Sequence, residues 1–172
     1  MKTRKRKLAT RQRNEDRTMT QLSYEVIAAR IQTAMENSIT QAPEAFGSRL
    51  QMAYLPTEDG TYCFSARMDD WMCNPGGMIH GGVCAGLVDQ AMGIVVYCIT
   101  EGKTIAPTIG LQINYHRPLL PKTDVQIRVR TISVTRHLIS MAADIVCAEN
   151  SERLYVSSTA TFFCKESAQD GK

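Results

Sequence analysis

The sequence of 172 residues has six cysteines but no C-x-x-C pair, and none of its three histidines stands at zinc-ligand spacing. These absences argue against zinc and redox motifs. The chain also lacks an opening apolar run, a later run of eighteen apolar residues and an internal repeat, so neither a signal peptide nor a membrane span is expected. We expect one compact cytoplasmic domain with reduced cysteines, without membrane contact and without a metal or redox cofactor.

Positive charge is concentrated at the start of the chain. The first 18 residues hold eight Lys or Arg against Glu15 and Asp16, whereas the other 154 hold twelve basic and fifteen acidic residues. Such a block also suits nucleic acid or anionic lipid, but a short run without pattern favours a solvated tail, so nucleic acid is not an expected partner. We divide the chain into a basic disordered tail (1–20), a single domain (21–166) and a disordered C-terminus (167–172).

Hydrophobic periodicity predicts the order of helices and strands. Helical spacing from Ser23 to about Asn37 indicates an amphipathic helix, and two extended runs (50–56 and 60–68) around turn residues indicate a hairpin. A run of small and apolar residues from about 80 to 99 predicts a long buried helix. Strand-like runs follow at 105–116, 123–134, 137–150 and 152–164. The order predicts an α+β fold in which one antiparallel sheet wraps one long helix, with an additional N-terminal helix.

The long helix opens with His80, Gly81 and Gly82. The first amides of a helix have no partner within it, and two glycines let another molecule approach them closely. In acyl transfer, negative charge develops on a carbonyl oxygen, and one well-placed donor contributes about 3 to 4 kcal/mol to lowering the barrier. We take the Gly81 amide as the candidate donor.

Asp89 is the one charged residue in an otherwise uncharged helix, so a buried Asp89 must either be paired or take part in function. It lies nine residues after His80, which is about 13 to 14 Å along the helix axis and half a turn around it. Alone, each residue is better explained by a structural role. If both serve one reaction, the aspartate must come from a second copy of the chain, related by a two-fold axis.

The run N-P-G-G-M-I-H-G-G followed by V-C-A-G-L-V-D resembles the hallmark of the phenylacetic-acid-degradation type of hotdog acyl-CoA thioesterases. In that family an Asn precedes the His of HGG by six residues and an acidic residue follows it by nine. Asn74, His80, Gly81 and Asp89 fit both spacings. The likeness covers about residues 50 to 164, and the segment from Asn114 to Pro118 is similar to the family's strand-ending N-Y-x-x-P.

The resemblance implies a hotdog fold and thioester hydrolysis. The Gly81 amide would polarise the thioester carbonyl, while Asn74 and His80 would position the thioester. Asp89 of the partner subunit would act as nucleophile or as general base on water. Thr108 stands where some members have a serine that holds the water, and it keeps the hydroxyl but adds a methyl group.

The implied substrate is an acyl-CoA, whose CoA is part of the substrate rather than a cofactor. Gly82 would contact it at the helix start. Phosphates favour basic residues, and Arg117, Arg136 and His137 stand at predicted strand ends, although exposed Arg at such positions is usually only solvated. The resemblance implies a homodimer with the active site at the subunit interface, and two dimers are expected to pair into a tetramer.

Two other functions are compatible with the sequence. A hotdog enoyl-CoA hydratase would use a D-x-N-P-x-H pattern, but here His80 follows Pro75 by five residues instead of two, and Asp69 and Asp70 lie too far from Asn74. A non-enzymatic acyl-CoA sensor would need no carboxylate in an apolar helix, and the basic tail is too short for a helix-turn-helix. The sequence therefore favours the thioesterase.

Overall fold

The computed structural model describes residues 24–57, 60–102 and 106–164. The basic tail (1–20), Ser23 and the C-terminal segment (167–172) lie outside the described residues, so the division into tail, domain and C-terminus stays a prediction. The helices are α1 (Tyr24–Gln41), α2 (Phe46–Arg49) and α3 (Gly81–Ile99), with a 3-10 helix at Asp70–Met72. The strands are β1 (Ala53–Leu55), β2 (Tyr62–Arg67), β3 (Thr108–Tyr115), β4 (Asp124–Val134), β5 (Leu138–Cys147) and β6 (Leu154–Phe163).

The six strands form one antiparallel sheet in the order β1-β2-β4-β5-β6-β3. Helix α3 packs across one face of this sheet and against α1. The alternation in β4 explains why: Val125, Ile127 and Val129 are fully buried, whereas Arg130 on the opposite face is exposed. The predicted fold, with one sheet wrapped around one long helix, is confirmed.

Helix α1 confirms the predicted N-terminal helix, with Ile27, Ile31 and Met35 buried. It continues past Asn37 to Gln41, because exposed Asn costs a helix little and the first strong barrier is Pro43, which disfavours helical backbone in the residue before it. The connector after it contains the four-residue helix α2, which periodicity could not predict because the segment is too short to show one.

Helix α3 begins and ends close to the predicted bounds. By length and average composition it is apolar enough to cross a membrane, although every window of eighteen residues in it contains Asp89 and Gln90. A single aspartate and several glycines do not lower the average enough. The same property suits a helix wrapped by a sheet: Leu87, Val88, Ala91 and Met92 are all fully buried against it.

Strand β3 lies at an edge of the sheet, beside β6, although it precedes β4 in the sequence. Seven of its eight residues are exposed, among them Ile109 and Leu111. No described residue pairs with the outer edge of β3. Its backbone groups are therefore open to another strand.

Candidate active site

His80 is the N-cap residue of α3, with extended backbone and a side chain whose Nδ1 accepts a hydrogen bond from the Gly82 amide at 2.9 Å. The structural role that the sequence allowed for His80 is therefore present. The Gly82 amide is occupied by this bond. The Gly81 amide donates to no acceptor among the described residues, so it is the available donor at the helix start.

Asn74 lies in the turn that leads into α3. Its Oδ1 accepts from the backbone amides of Gly76 at 2.9 Å and Met78 at 3.4 Å. The backbone amide of Asn74 donates to the Met78 carbonyl. These bonds occupy the oxygen end of the side chain. Within the described part of the chain the side-chain NH₂ group has no acceptor, so it remains as a second donor near the helix start.

Tyr115, to which sequence reasoning gave no role, joins the end of β3 to the start of α3. Its hydroxyl donates to the Gly81 carbonyl at 2.9 Å. A Cβ at Gly81 would lie 3.1 Å from this hydroxyl oxygen, so the ring leaves room for little more than glycine. Partial burial, and to a smaller extent the nearby Cys84, raise the pKa of Tyr115, so the hydroxyl stays protonated as a donor. The one sequence signal for this role was that Tyr115 is the tyrosine of the N-Y-x-x-P segment.

A cleft of about 450 Å³ lies at this helix start and is lined by Asn74, Gly81, Gly82, Tyr115 and Arg117, among others. Cys84 also lines it, but burial raises the pKa of this thiol to about 11. A neutral buried thiol is a poor nucleophile. The chemistry that this cleft offers is therefore donation of hydrogen bonds to a developing negative charge.

Asp89 is half-buried on α3, and the Thr108 hydroxyl donates to its Oδ1 at 2.7 Å. The carboxylate is therefore paired, as its position in an apolar helix requires. Oδ2 has no partner among the residues described. The structure thus brings together two residues that the resemblance had given related roles, and it leaves one carboxylate oxygen available to a ligand.

Thr108 and Tyr115 both reach α3 although seven residues separate them, an odd number that would put them on opposite faces of a regular strand. The register shifts between Thr108 and Gly110, which indicates a bulge that reverses the alternation. β3 therefore holds Gly81 at one end and Asp89 at the other.

Asp89 and Thr108 line a second, larger cleft of about 1230 Å³. Neither Asn74 nor Gly81 lines it, and Asp89 does not line the smaller cleft. Gly81 and Asp89 are eight residues, or about 12 Å, apart along the helix axis. The predicted residues therefore form two half-sites in one chain instead of a complete site.

The basic residues predicted to bind CoA do not lie together, and only Arg117 lines one of the two clefts. Arg117 lines the smaller cleft and donates to the Leu154 carbonyl at 2.8 Å. Arg136 and His137 are exposed in the turn between β4 and β5. This turn lies at the end of the sheet where β3 begins, because the His137 carbonyl accepts from the Cys164 amide, next to the Phe163 amide that donates to Pro107.

The residues of the hydratase pattern are not assembled around His80. Asp69 caps the 3-10 helix by accepting from the Asp70 amide at 2.6 Å. Neither aspartate lines either cleft described above. In the described ranges there is also no group of three or more His, Cys, Asp or Glu that could hold a metal ion.

A family model described as "Thioesterase superfamily" matches residues 76–153, which include Gly81, Asp89, Thr108 and Tyr115. Thioesterase superfamily member 2 of zebra fish is similar in structure, with a TM-score of 0.68 and 18% identity, over 78% of this chain and 96% of that one. No curated protein matches the chain.

Two streptococcal structures are also similar. One is a hypothetical thioesterase protein of Streptococcus pneumoniae with coenzyme A, at a TM-score of 0.59 and 23% identity, over 67% of this chain and 89% of that one. The other, from Streptococcus mutans, is bound to acetyl-CoA and has the same TM-score and coverage at 21% identity. Identities this low establish the hotdog fold alone.

Proposed function

We propose that this chain, a hotdog protein whose residues 76–153 match the thioesterase superfamily model, hydrolyses the thioester bond of an acyl-CoA to a free acid and CoA. One observation carries the proposal: the half-buried Asp89, held by the Thr108 hydroxyl at 2.7 Å, faces a large cleft from an otherwise apolar helix. A carboxylate in such a position suits general-base or nucleophilic catalysis.

The similar structures support a CoA ester as the substrate. The pneumococcal protein was crystallised with coenzyme A and the Streptococcus mutans protein with acetyl-CoA. Two further structures of the pneumococcal protein each carry one alanine substitution, at an aspartate in one and at a threonine in the other. Asp89 and Thr108 are the aspartate and threonine that we propose to act here.

The open edge of β3 supports an active site shared by two chains. A two-fold axis beside the middle of β3 would pair two such strands antiparallel and bring Thr108 of one chain opposite Tyr115 of the other. Because these residues hold Asp89 and Gly81, respectively, the same pairing brings Asp89 of the partner subunit to the Gly81 amide. Each dimer would then contain two complete sites.

The proposed reaction uses the donors of one chain and the carboxylate of the other. The thioester carbonyl accepts from the Gly81 amide and the Asn74 NH₂ group. Asp89 of the partner subunit either takes a proton from water, whose oxygen then attacks the carbonyl carbon, or attacks it directly. The resulting oxyanion is stabilised by the same donors. The CoA thiolate leaves and takes a proton, and in the direct route water then hydrolyses the acyl-enzyme anhydride.

Basic residues from both chains would bind the phosphates of CoA. Arg117 lines the cleft of Gly81, and Arg136 and His137 of the partner subunit lie at the end of the sheet that meets it in the two-fold pair. We assign the chain to the phenylacetic-acid-degradation type and propose a cytoplasmic dimer of dimers. The reaction as proposed requires no metal or redox cofactor.

The test is release of free CoA, measured by chromatography, from short, medium, long and aromatic acyl-CoA esters. Asp89→Asn keeps the size and a hydrogen-bond acceptor but removes the negative charge, so we expect hydrolysis to fall by about 10² to 10⁴-fold. Asp124→Asn is the matched control. That residue is exposed, pairs with Arg67 at 2.7 Å and lines neither cleft, so this variant should retain full activity.

The alternatives predict different outcomes of the same assay. A non-enzymatic acyl-CoA-binding domain would bind the esters without releasing CoA, and unchanged hydrolysis in Asp89→Asn would refute the catalytic assignment. A hydratase would hydrate crotonyl-CoA without releasing thiol. The capping role of Asp69 gives the hydratase no support.

A further inference from the structure

The cleft that contains Asp89 continues as a groove between α1 and α3. The two helices run in opposite directions: Arg30 on α1 donates to the Cys98 carbonyl of α3, whereas Gly47, just after α1, lies against Gln90. Asp89 is therefore at one end of the groove and Arg30 is near the other. From Asp89 to Cys98 the groove follows α3 for nine residues, or about 14 Å, and it ends at Glu101 and Gly102 just beyond the helix.

The lining changes in character along the groove. Near Asp89 it is polar, with Asn37, Ser38 and Gln41 from α1. Farther along it is mostly small or apolar, with lining side chains from both helices and from β6 (Ala29, Ala34, Gly93, Ile94, Tyr97 and Phe162). The groove is thus polar where a thioester would react and apolar beyond it.

Two large apolar side chains in the distal half are exposed. Val26 is 40% exposed and Tyr97 is 50% exposed, and both line the groove. A ligand that covered them would remove this apolar surface from water. The lining of the groove therefore favours an apolar occupant in its distal half.

Two of the polar groups that line the distal half are already bonded within the protein. The Thr33 hydroxyl donates to the Ala29 carbonyl, and the Arg30 guanidinium donates to the Cys98 carbonyl and pairs with Glu101 at 3.6 Å. Because these groups already have partners within the protein, a polar ligand would gain little by binding there. The ion pair of Arg30 and Glu101 lies near the far end of the groove.

We propose that this groove binds the acyl chain of the substrate, and that the groove used is that of the subunit that supplies Asp89. The substrates are medium- and long-chain fatty acyl-CoA esters. The inference rests on the proposed thioesterase activity. The carbonyl lies at the Asp89 end, and the hydrocarbon extends between α1 and α3 towards Arg30. The length of the groove determines the longest acyl chain that can bind.

Gly93 provides the first test, because it is one helical turn beyond Asp89. A Cβ there would meet only Phe162, at 4.0 Å, among the residues described, so a Cβ can be added without a clash. Gly93→Phe should lower kcat/KM for long-chain esters at least tenfold relative to acetyl-CoA. Gly93→Ala adds only one methyl group at the same position, so it should lower kcat/KM for long-chain esters less than Gly93→Phe does.

Ala29 provides the second test, on the opposite wall and farther from Asp89. It is an exposed position on α1, so Ala29→Phe should not disturb folding. This variant should reduce activity at least tenfold on the longest chains while sparing the short and medium ones, a cut-off at greater length than that of Gly93→Phe. Gln32→Phe adds the same ring to an exposed α1 position outside the groove and should change nothing.

The outcomes separate this inference from the proposed function. If the native chain hydrolyses acyl-CoA esters and Ala29→Phe leaves the chain-length profile unaltered, the groove assignment is wrong while thioesterase activity stands. If the native chain hydrolyses no ester, binding of S-alkyl-CoA thioethers is measured by calorimetry instead. Tighter binding with longer alkyl groups, lost in Ala29→Phe, would then support the groove, and equal binding of all lengths would overturn it.

Discussion

The two polar groups of Gly81 have separate roles, and Tyr115 acts on only one of them. The Gly81 carbonyl accepts from the Tyr115 hydroxyl at 2.9 Å, while the Gly81 amide remains available to a substrate. Tyr115 therefore acts on the reaction through Gly81, as a positioning residue. A donor that is held in place before the reaction contributes more than one that must be oriented during it.

Replacement of Tyr115 by Phe removes this hydrogen bond and keeps the ring. A hydrogen bond of about 1.4 kcal/mol corresponds to tenfold in rate, so we expect kcat to fall about tenfold with KM little changed. Steady-state kinetics with one acyl-CoA ester measures the split. Because the pKa of Tyr115 is raised, the wild-type hydroxyl keeps its proton between about pH 6 and 9, and the difference between the two proteins should be constant over that range.

Tyr62→Phe is the matched control for this prediction, since Tyr62 is a buried tyrosine on β2 that lines neither cleft. Its loss of a hydroxyl should leave kcat unchanged. A rise in KM with unaltered kcat in Tyr115→Phe would contradict the positioning role and indicate a residue that binds substrate directly.

At the scale of the element, the start of α3 combines a helix cap and a proposed substrate contact in His80. The Nδ1 bond to the Gly82 amide is a capping bond. His80→Ala should therefore lower the free energy of unfolding by about 1 kcal/mol, measured by urea denaturation. His80→Asn supplies a capping oxygen and should restore that loss.

Activity distinguishes the two roles of His80. If the imidazole also positions the thioester, both His80→Ala and His80→Asn should have reduced kcat/KM, so that stability depends on the cap and catalysis on the ring. Full activity in His80→Asn would show that His80 is a cap and nothing more.

The helices and strands were largely predictable from the sequence because each has a local pattern. The alternation in β4 and the long apolar run of α3 depend on residues a few positions apart. The position of β3 at the edge beside β6 and the bulge after Thr108 were not predictable, since they depend on pairing between distant segments.

The site was predictable only in part for the same reason. The spacing of His80 and Asp89 along one helix was enough to predict that the two residues of one chain cannot meet in one site. The contacts from Thr108 to Asp89 and from Tyr115 to Gly81 join residues 19 and 34 positions apart, and no local pattern encodes them.

At the scale of the whole molecule, the two half-sites make a specific prediction about mixed dimers. Asn74→Ala damages the donor side and Asp89→Asn the carboxylate side, so each homodimer should be nearly inactive. When the two variants are unfolded and refolded together, half of the dimers are mixed, and each mixed dimer has one intact site. About one quarter of the native activity should return.

Recovered activity in the mixture, with none in the separately refolded variants, is the measurement. A site contained within one chain would recover nothing. The same mixture locates the acyl groove: Gly93→Phe should shorten the preferred chain only when it is placed in the Asn74→Ala chain, which supplies Asp89 to the intact site.

The exposure of β3 has a further consequence for the behaviour of the protein during purification. An isolated chain presents an open strand with Ile109 and Leu111 beside it, and such an edge can recruit any extended segment. Substitutions that weaken pairing through β3 should therefore yield aggregates more readily than stable inactive monomers. Light scattering during dilution would detect this. The proposed pairing of β3 would then protect against aggregation as well as complete the site.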